Sequence, residues 1–193
     1  MQKESKVIVF VGMSGAGKSV CVEHLKKKGV PSVYFGEIVI NEVLKRNLEL
    51  NENNQKTIRE EIRNKEGKGA LALRILSQIE KYFEQGYRYV VVDGLYSWTE
   101  YKIFKESFED RAYIIAVVEP RLVRHQRILK RKYRSLDEKE TNQRDYDEIE
   151  GIEKGGPIAN ADYYLANHQN ITDLTQDLDK LMKSLNIDLT QLI

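Results

Sequence analysis

The residues with the plainest chemistry are Gly12 to Ser19, GMSGAGKS, directly after the apolar run Val7–Val11. The octet fits G-x-x-x-x-G-K-[ST] with a strand pattern before it and a helix pattern after it. Gly12, Gly15 and Gly17 permit backbone angles and close approaches that a side chain blocks. Successive N–H groups then point inward as a nest for phosphate oxygens, reinforced by the dipole of the following helix. Lys18 is suited to reach the β- and γ-phosphates of a nucleoside triphosphate, and the Ser19 hydroxyl to ligate Mg²⁺. Asp93 closes VVVDG at the carboxyl end of another strand pattern, a position from which an acid acts on the metal, usually through a water. A turn-capping Asp before Gly94 is the plainer alternative.

A second group is basic. Between Arg121 and Arg134 stand seven Lys/Arg residues and no acid. Arg124, Arg127, Arg131 and Arg134 are three, four and three apart and share one helical stripe, where like charges repel unless an anion arrives. Leu122 and Leu129 are expected on the opposite side, holding the helix down. One reading is a closing lid whose arginines neutralise a transferring phosphoryl group and exclude water. The other is a solvated face paired with the acid-rich stretch Asp137–Glu150. Arg144, with Asp145 and Glu148, begins the return segment. Nucleic-acid binding is the weaker third reading, because no stacking platform is evident beside the basic stripe.

These groups must be positioned by strands and helices in alternation. Lys6–Val11 predicts a strand covered on both faces, followed by a helix over about Lys18–Lys28 that stops at Gly29 and Pro31. Further strands are expected at Ser32–Gly36, Tyr87–Gly94, Ala112–Pro120 and Ala161–Asn167. Helices are expected over most of Ile38–Gln85 (broken at Asn51–Gln55 and Gly67–Gly69), over Arg121–Arg134 and over Ile171–Leu185. Asp137–Glu153 reads as a polar stretch and Gly155–Pro157 as a loop. The pattern predicts an α/β layered fold with a parallel sheet, without repeats or an internal linker.

Composition narrows the class. The chain has 193 residues, 41% hydrophobic and 32% charged, as in an ordinary globular domain. Lys+Arg number 31 against 30 Asp+Glu, and a net charge of +1 gives no global pull toward nucleic acid or membrane. One cysteine excludes an internal disulfide framework and fits a reducing, cytoplasmic setting. Cys21 and His24 read as packing or surface residues, and three scattered histidines offer no zinc spacing. No apolar run approaches the ~20 residues of a membrane span, and the strand pattern begins too early to accommodate a signal peptide.

The ordered motifs GMSGAGKS, GVPSVYFGEIV, TIREEIR, VVVDGLYS, the basic helix, RDYDEIEGI and GGPIANADYYLAN span nearly the whole chain. With them the sequence resembles the P-loop kinases of the nucleoside-monophosphate kinase and dephospho-coenzyme A kinase group, above all the archaeal adenylate-kinase-related proteins. The resemblance implies one domain over 1–193, of three-layer P-loop fold, with a five-stranded parallel sheet. It also implies a helical acceptor-binding insert at about 37–86 and a lid at about 125–148. Implied too is transfer of the ATP γ-phosphate, with Mg²⁺, to a nucleotide-like acceptor, foremost a (deoxy)nucleoside monophosphate. Transfer to a hydroxyl, or a nucleotide switch or ATPase without acceptor activity, are the alternatives.

By position in the family pattern, Gly12, Ser14, Gly15, Ala16, Gly17, Lys18, Ser19, Val20, Arg127 and Asn167 bind the donor nucleotide. Ser19 and Asp93 serve the metal. Glu37, Arg63 and Tyr96 face the acceptor, with Glu37 able to act as base, and Arg127, Arg131 and Arg144 are lid arginines. The chain departs from the family at two places. Glu37 and Ile40 stand for the Asp and Arg of G-D-x-x-R, and Tyr96 stands where an arginine follows D-G. Arg46, Arg59 and Arg63 are nearby substitutes for that clamp, while Tyr96 and Trp98 read equally as stacking or packing residues. The resemblance gives a small-molecule partner, with the chain itself a monomer or homodimer.

Overall fold

The computed structural model describes residues 5–131, 136–168 and 170–193. Five strands form one parallel sheet: β1 (Lys6–Val11), β2 (Ser32–Tyr34), β3 (Tyr89–Asp93), β4 (Ala112–Val118) and β5 (Tyr163–Ala166), in the order β2-β3-β1-β4-β5. The helices are α1 (Lys18–Lys27), α2 (Phe35–Lys45), α3 (Glu52–Glu66), α4 (Ala70–Glu84), α5 (Trp98–Phe108), α6 (Arg121–Leu129), α7 (Glu138–Tyr146), α8 (Gly155–Ala159) and α9 (Ile171–Ser184). The expected α/β class with a five-stranded parallel sheet is therefore observed.

The apolar run of β1 is explained by burial on both faces. Val7, Val9 and Val11 face a core closed by α2–α5, whereas Ile8 and Phe10 face a second core with α1 and α9. A strand with two buried faces has no position to spare for polar alternation. The register then sets the site: Phe10 pairs with Asp93, and Tyr34 pairs with Asp93 from the other side. The glycine loop, the start of α2 and Asp93 thus meet beyond the carboxyl ends of the strands, where open α/β sheets bind ligands.

Several boundaries differ from expectation. β2 stops at Tyr34, because the Tyr34 ring folds back over Gly36, where a Cβ would collide with it, and Phe35 is drawn fully into the core. The polar break at Asn51 is a helix start, its side chain accepting from Asn54 N at 2.9 Å. The acid-rich stretch after Asp137 is helical, opened by a capping box between Asp137 and Glu140. It runs into a π-helical turn, Asp147–Gly151. Gly155–Pro157 begins α8, where proline is tolerated because first-turn N–H groups have no helical acceptor.

The basic helix ends at Leu129, and Arg134 lies outside the described residues. Its buried face is also not the apolar one. Leu122 and Leu129 are exposed (69% and 46%), and Arg124, His125 and Ile128 are buried instead. The surface beneath is the polar glycine loop, so the matching side chain is a hydrogen-bond donor rather than a leucine.

Candidate active site

The glycine loop is clamped from three directions. A Cβ on Gly12 would strike the Val117 carbonyl oxygen of β4, one on Gly15 would lie 2.7 Å from the Arg124 carbonyl oxygen of α6, and one on Gly17 would strike the Asn167 amide. All three glycines also have positive φ (142°, 82° and 111°), so both backbone angle and space demand glycine. Three side chains tie the loop down. Asn167 Nδ2 donates to Ala16 O (2.8 Å), the Arg124 guanidinium donates to Ser14 O (2.9 Å), and Ser14 Oγ donates to Glu148 (3.0 Å). Gly17 caps α1 with no side-chain acceptor and no acid in the first turn. The first N–H groups of that helix are thereby suited to an anion.

Arg124 is held as firmly as it holds. It grips Asp145 of α7 through two bonds of 3.0 and 2.8 Å, and His125 Nε2 lies 2.9 Å from the same carboxylate. Burial opposes ionisation of Asp145, but Arg124 and His125 keep its carboxyl below the usual range. The expected stripe of mutually repelling arginines is thus resolved by pairing. Arg127 meets the buried Glu119 at 2.7 Å and donates to Asn167 O at 2.9 Å. Arg144 Nε reaches Glu148 at 3.3 Å. Arg131 is exposed just beyond the end of α6.

At the centre four charges are crowded together. The Lys18 ammonium donates to Gly12 O (2.8 Å) and Met13 O (3.2 Å), folding back over the loop. Glu148, on the π-helical turn, takes an ion pair of 2.9 Å from Lys154, whose side chain is 1% exposed. Lys154 also stands 5.0 Å over the Tyr96 ring. Desolvation and the neighbouring Lys154 push Lys18 down to about 7. Burial raises the Asp93 carboxyl, an effect that Lys18 opposes. Glu148 would also be raised by burial, yet Lys154 and Arg144 hold it down at about 2. Strongly shifted groups gathered at one end of a sheet mark a functional centre.

Lys18 makes stability depend on pH. Its pKa is about 7 in the fold against 10.5 for the ordinary group, so between those values the unfolded chain binds more protons. Folding is therefore favoured as pH rises through that window. The stability advantage of Lys18→Met over the parent, read by urea denaturation, is expected to be largest near pH 7 and to shrink toward pH 10. An advantage that stays constant across that range would contradict the assignment.

The residues expected to face an acceptor are more dispersed. Glu37 is exposed on the first turn of α2. Arg63, on α3, ion-pairs at 3.2 Å with Glu100, which is fully buried. The second oxygen of Glu100 accepts from the Tyr96 and Ser97 amides at 2.9 and 3.0 Å. Tyr96 packs edge-on to Phe35 with ring centroids 6.0 Å apart, and Trp98 stacks on Tyr101 at 4.9 Å. Packing thus engages both aromatics. Sequence reasoning missed Glu100, Lys154 and the Arg124–Asp145–His125 group. Ser97 and Glu100, spaced as a capping box, were a readable signal for α5; Lys154, in a polar loop, had none.

Comparisons with known proteins bear out the fold. A family model described as an AAA domain matches residues 8–150. A UPF0200 protein of Thermococcus kodakarensis is 35% identical over 181 residues, covering 91% of this chain and 96% of its own. Another, of Methanosarcina mazei, is 38% identical over 126 residues, 65% of this chain and 66% of its own. Among solved structures, TT1252 from Thermus thermophilus aligns with a TM-score of 0.64 at 17% identity, covering 94% of this chain and 98% of its own. Shikimate kinase from Acinetobacter baumannii aligns at 0.58 and 20% identity, over 96% and 97% of the two chains. Dephospho-CoA kinase from Campylobacter jejuni aligns at 0.52 and 16%, over 94% and 98%. At these identities the likeness is one of fold, that of the P-loop kinases. Among the described residues no helix is long and apolar enough to cross a membrane.

Proposed function

This chain belongs to the UPF0200 family, built on an AAA-type P-loop domain, and from that premise we propose that it is an ATP-dependent small-molecule kinase. The observation that carries the reading is the clamped glycine loop with Lys18, Asp93, Glu148 and Lys154 gathered at its mouth. In-line phosphoryl transfer asks little covalent chemistry of a protein, so positioning and charge neutralisation do the work. The loop amides and Lys18 hold the donor phosphates. Ser19 and Asp93 offer the hard oxygens that Mg²⁺ takes, and the ion would neutralise charge between the β- and γ-phosphates. Residues 1–193 act as one domain, with α2–α4 as acceptor insert (about 37–86) and the segment at about 125–148 as lid. Lys56 of α3 meets Asp147 of the π-helical turn at 3.4 Å, joining insert to lid. Arg131→Ala is expected to lower kcat by about 10²-fold or more if that arginine meets the transferring group; a change in solubility alone would favour a solvated face.

The first acceptor reading is a (deoxy)nucleoside monophosphate, following the family resemblance. A second reading, a hydroxyl acceptor of the dephospho-coenzyme A kind, is favoured by a specific observation. Arg63 is engaged by the buried Glu100, and Ile40 and Tyr96 stand where a phosphate clamp needs arginine. A hydroxyl acceptor requires a base, and Glu37 is available for it. The deciding experiment incubates the protein with Mg-ATP and a panel of nucleoside monophosphates, deoxynucleotides and dephospho-coenzyme A. ADP formation stimulated by one acceptor class is expected; ADP formation indifferent to all of them would point to an ATPase or switch.

A further inference from the structure

We infer that Lys154 is a second phosphate-binding lysine of this site, contacting the γ-phosphate of the donor, and that Glu148 is an internal anion competing with that phosphate for it. The inference rests on the kinase reading above and adds a residue and a competition to it.

The argument begins with what surrounds the Glu148 carboxylate. It accepts from Ser14 Oγ at 3.0 Å and Arg144 Nε at 3.3 Å, and it pairs with Lys154 Nζ at 2.9 Å. A hydroxyl of the glycine loop, a guanidinium and an ammonium are the donor set that binds a phosphoryl oxygen. They converge at Ser14, in the same glycine loop as Lys18. Lys154 is almost wholly buried, and the cost of burying its ammonium is offset by the pairing with Glu148. The same donors suit an anion of higher charge, as a phosphate is relative to a carboxylate.

The position of Lys154 supports the γ-phosphate in particular. Lys154 sits just before α8, with its stem buried and its ammonium over the Tyr96 ring, on the side of the loop toward α2 and α5. The contact of Glu148 with Ser14 places this donor set at the mouth of the loop rather than along α1, where the earlier phosphates lie in such cradles. Glu148 is also carried on a π-helical turn, a wound segment with one residue more than an α-turn accommodates. The Lys154 amide donates to Glu148 O at 3.0 Å, so the two backbones are joined and the exchange of carboxylate for phosphate is one of side chains.

The test uses binding, so it requires no acceptor. Isothermal titration of the full chain with Mg-ATP and with Mg-ADP compares the parent, Lys154→Met, Glu148→Gln and the double variant. Lys154→Met is expected to weaken ATP by about 10- to 100-fold and to leave ADP within about twofold, as for loss of one charge-assisted contact. Glu148→Gln is expected to tighten ATP while leaving ADP unchanged, because the competing anion is gone. The double variant removes both buried charges, so it keeps a folded protein in hand if Lys154→Met alone unfolds; it too is expected to lose the preference for ATP over ADP. Equal weakening of both nucleotides in every variant would make the Lys154–Glu148 pair structural and overturn the inference. An ATP preference unchanged in the double variant would overturn it as well. A parent that binds neither nucleotide would overturn the kinase reading, and this inference with it; a parent that binds ATP, with variants that do not discriminate, overturns the inference alone.

Discussion

Lys18→Ala is expected to lower ATP turnover by about 10³-fold or more while leaving the chain folded, comparable to the loss of other pre-positioned cations at a transferring phosphoryl group. The fold does not depend on this side chain. Its ammonium donates to Gly12 O and Met13 O, two carbonyls at the loop mouth, and burial together with Lys154 has already pushed its pKa down to about 7. A group whose charge is disfavoured by its own surroundings stabilises little at neutral pH. Removing it should therefore leave the melting temperature equal or slightly higher, while the β- and γ-phosphates lose their nearest cation. Circular dichroism melts beside a coupled ADP assay check both halves. Turnover equal to that of the parent would sink the donor-site assignment.

Arg124→Ala is expected to have the largest effect on stability, about 3–5 kcal/mol, as when one partner of a buried ion pair is removed. Arg124 and Asp145 are 5% and 6% exposed and joined by two bonds. The variant strands a buried carboxylate with His125 as its remaining partner in that group, and it deprives Ser14 O of its donor. For a chain of this length such a loss lowers the melting temperature by roughly 10 °C. Arg46→Ala is the contrast: Arg46 bridges Glu42 and Glu61 on the surface at 2.8 and 2.6 Å, and its loss should lower the melting temperature far less than that of Arg124. Equal melting of the two variants would show that the buried group does not anchor α6 and α7 to the loop.

Much of the donor side was legible from residue order because its chemistry is local. A glycine loop between a strand and a helix needs only contiguous residues to make a phosphate nest, so GMSGAGKS announced itself. The parallel sheet was legible for a similar reason, since strands buried on both faces must be uninterrupted apolar runs. Residue order was misleading where a partner lies far along the chain. Arg124 looked like one of four repelling arginines because Asp145, 21 residues away, and Ser14, 110 residues away, were not visible as its partners. Leu122 and Leu129 looked like anchors because helical periodicity presumes an apolar surface beneath, and here that surface is the polar loop.

The residues expected at an acceptor divide along the same line. That Ile40 and Tyr96 stand where the resembling kinases carry arginine is a matter of sequence. That Arg63 is bound to Glu100, and that Lys154 is paired with Glu148 over the Tyr96 ring, follows only from the packing of α3, α5 and α8 around the carboxyl ends of the strands. Residue order settles which groups are present and the strands and turns that neighbouring residues form, because those depend on short-range sterics and hydrogen bonding. Tertiary structure settles which polar groups and charges share a desolvated space, because burial, hydrogen bonding and Coulomb coupling act between residues far apart in the chain, as in the bond from the Ser14 hydroxyl to Glu148, 134 residues away.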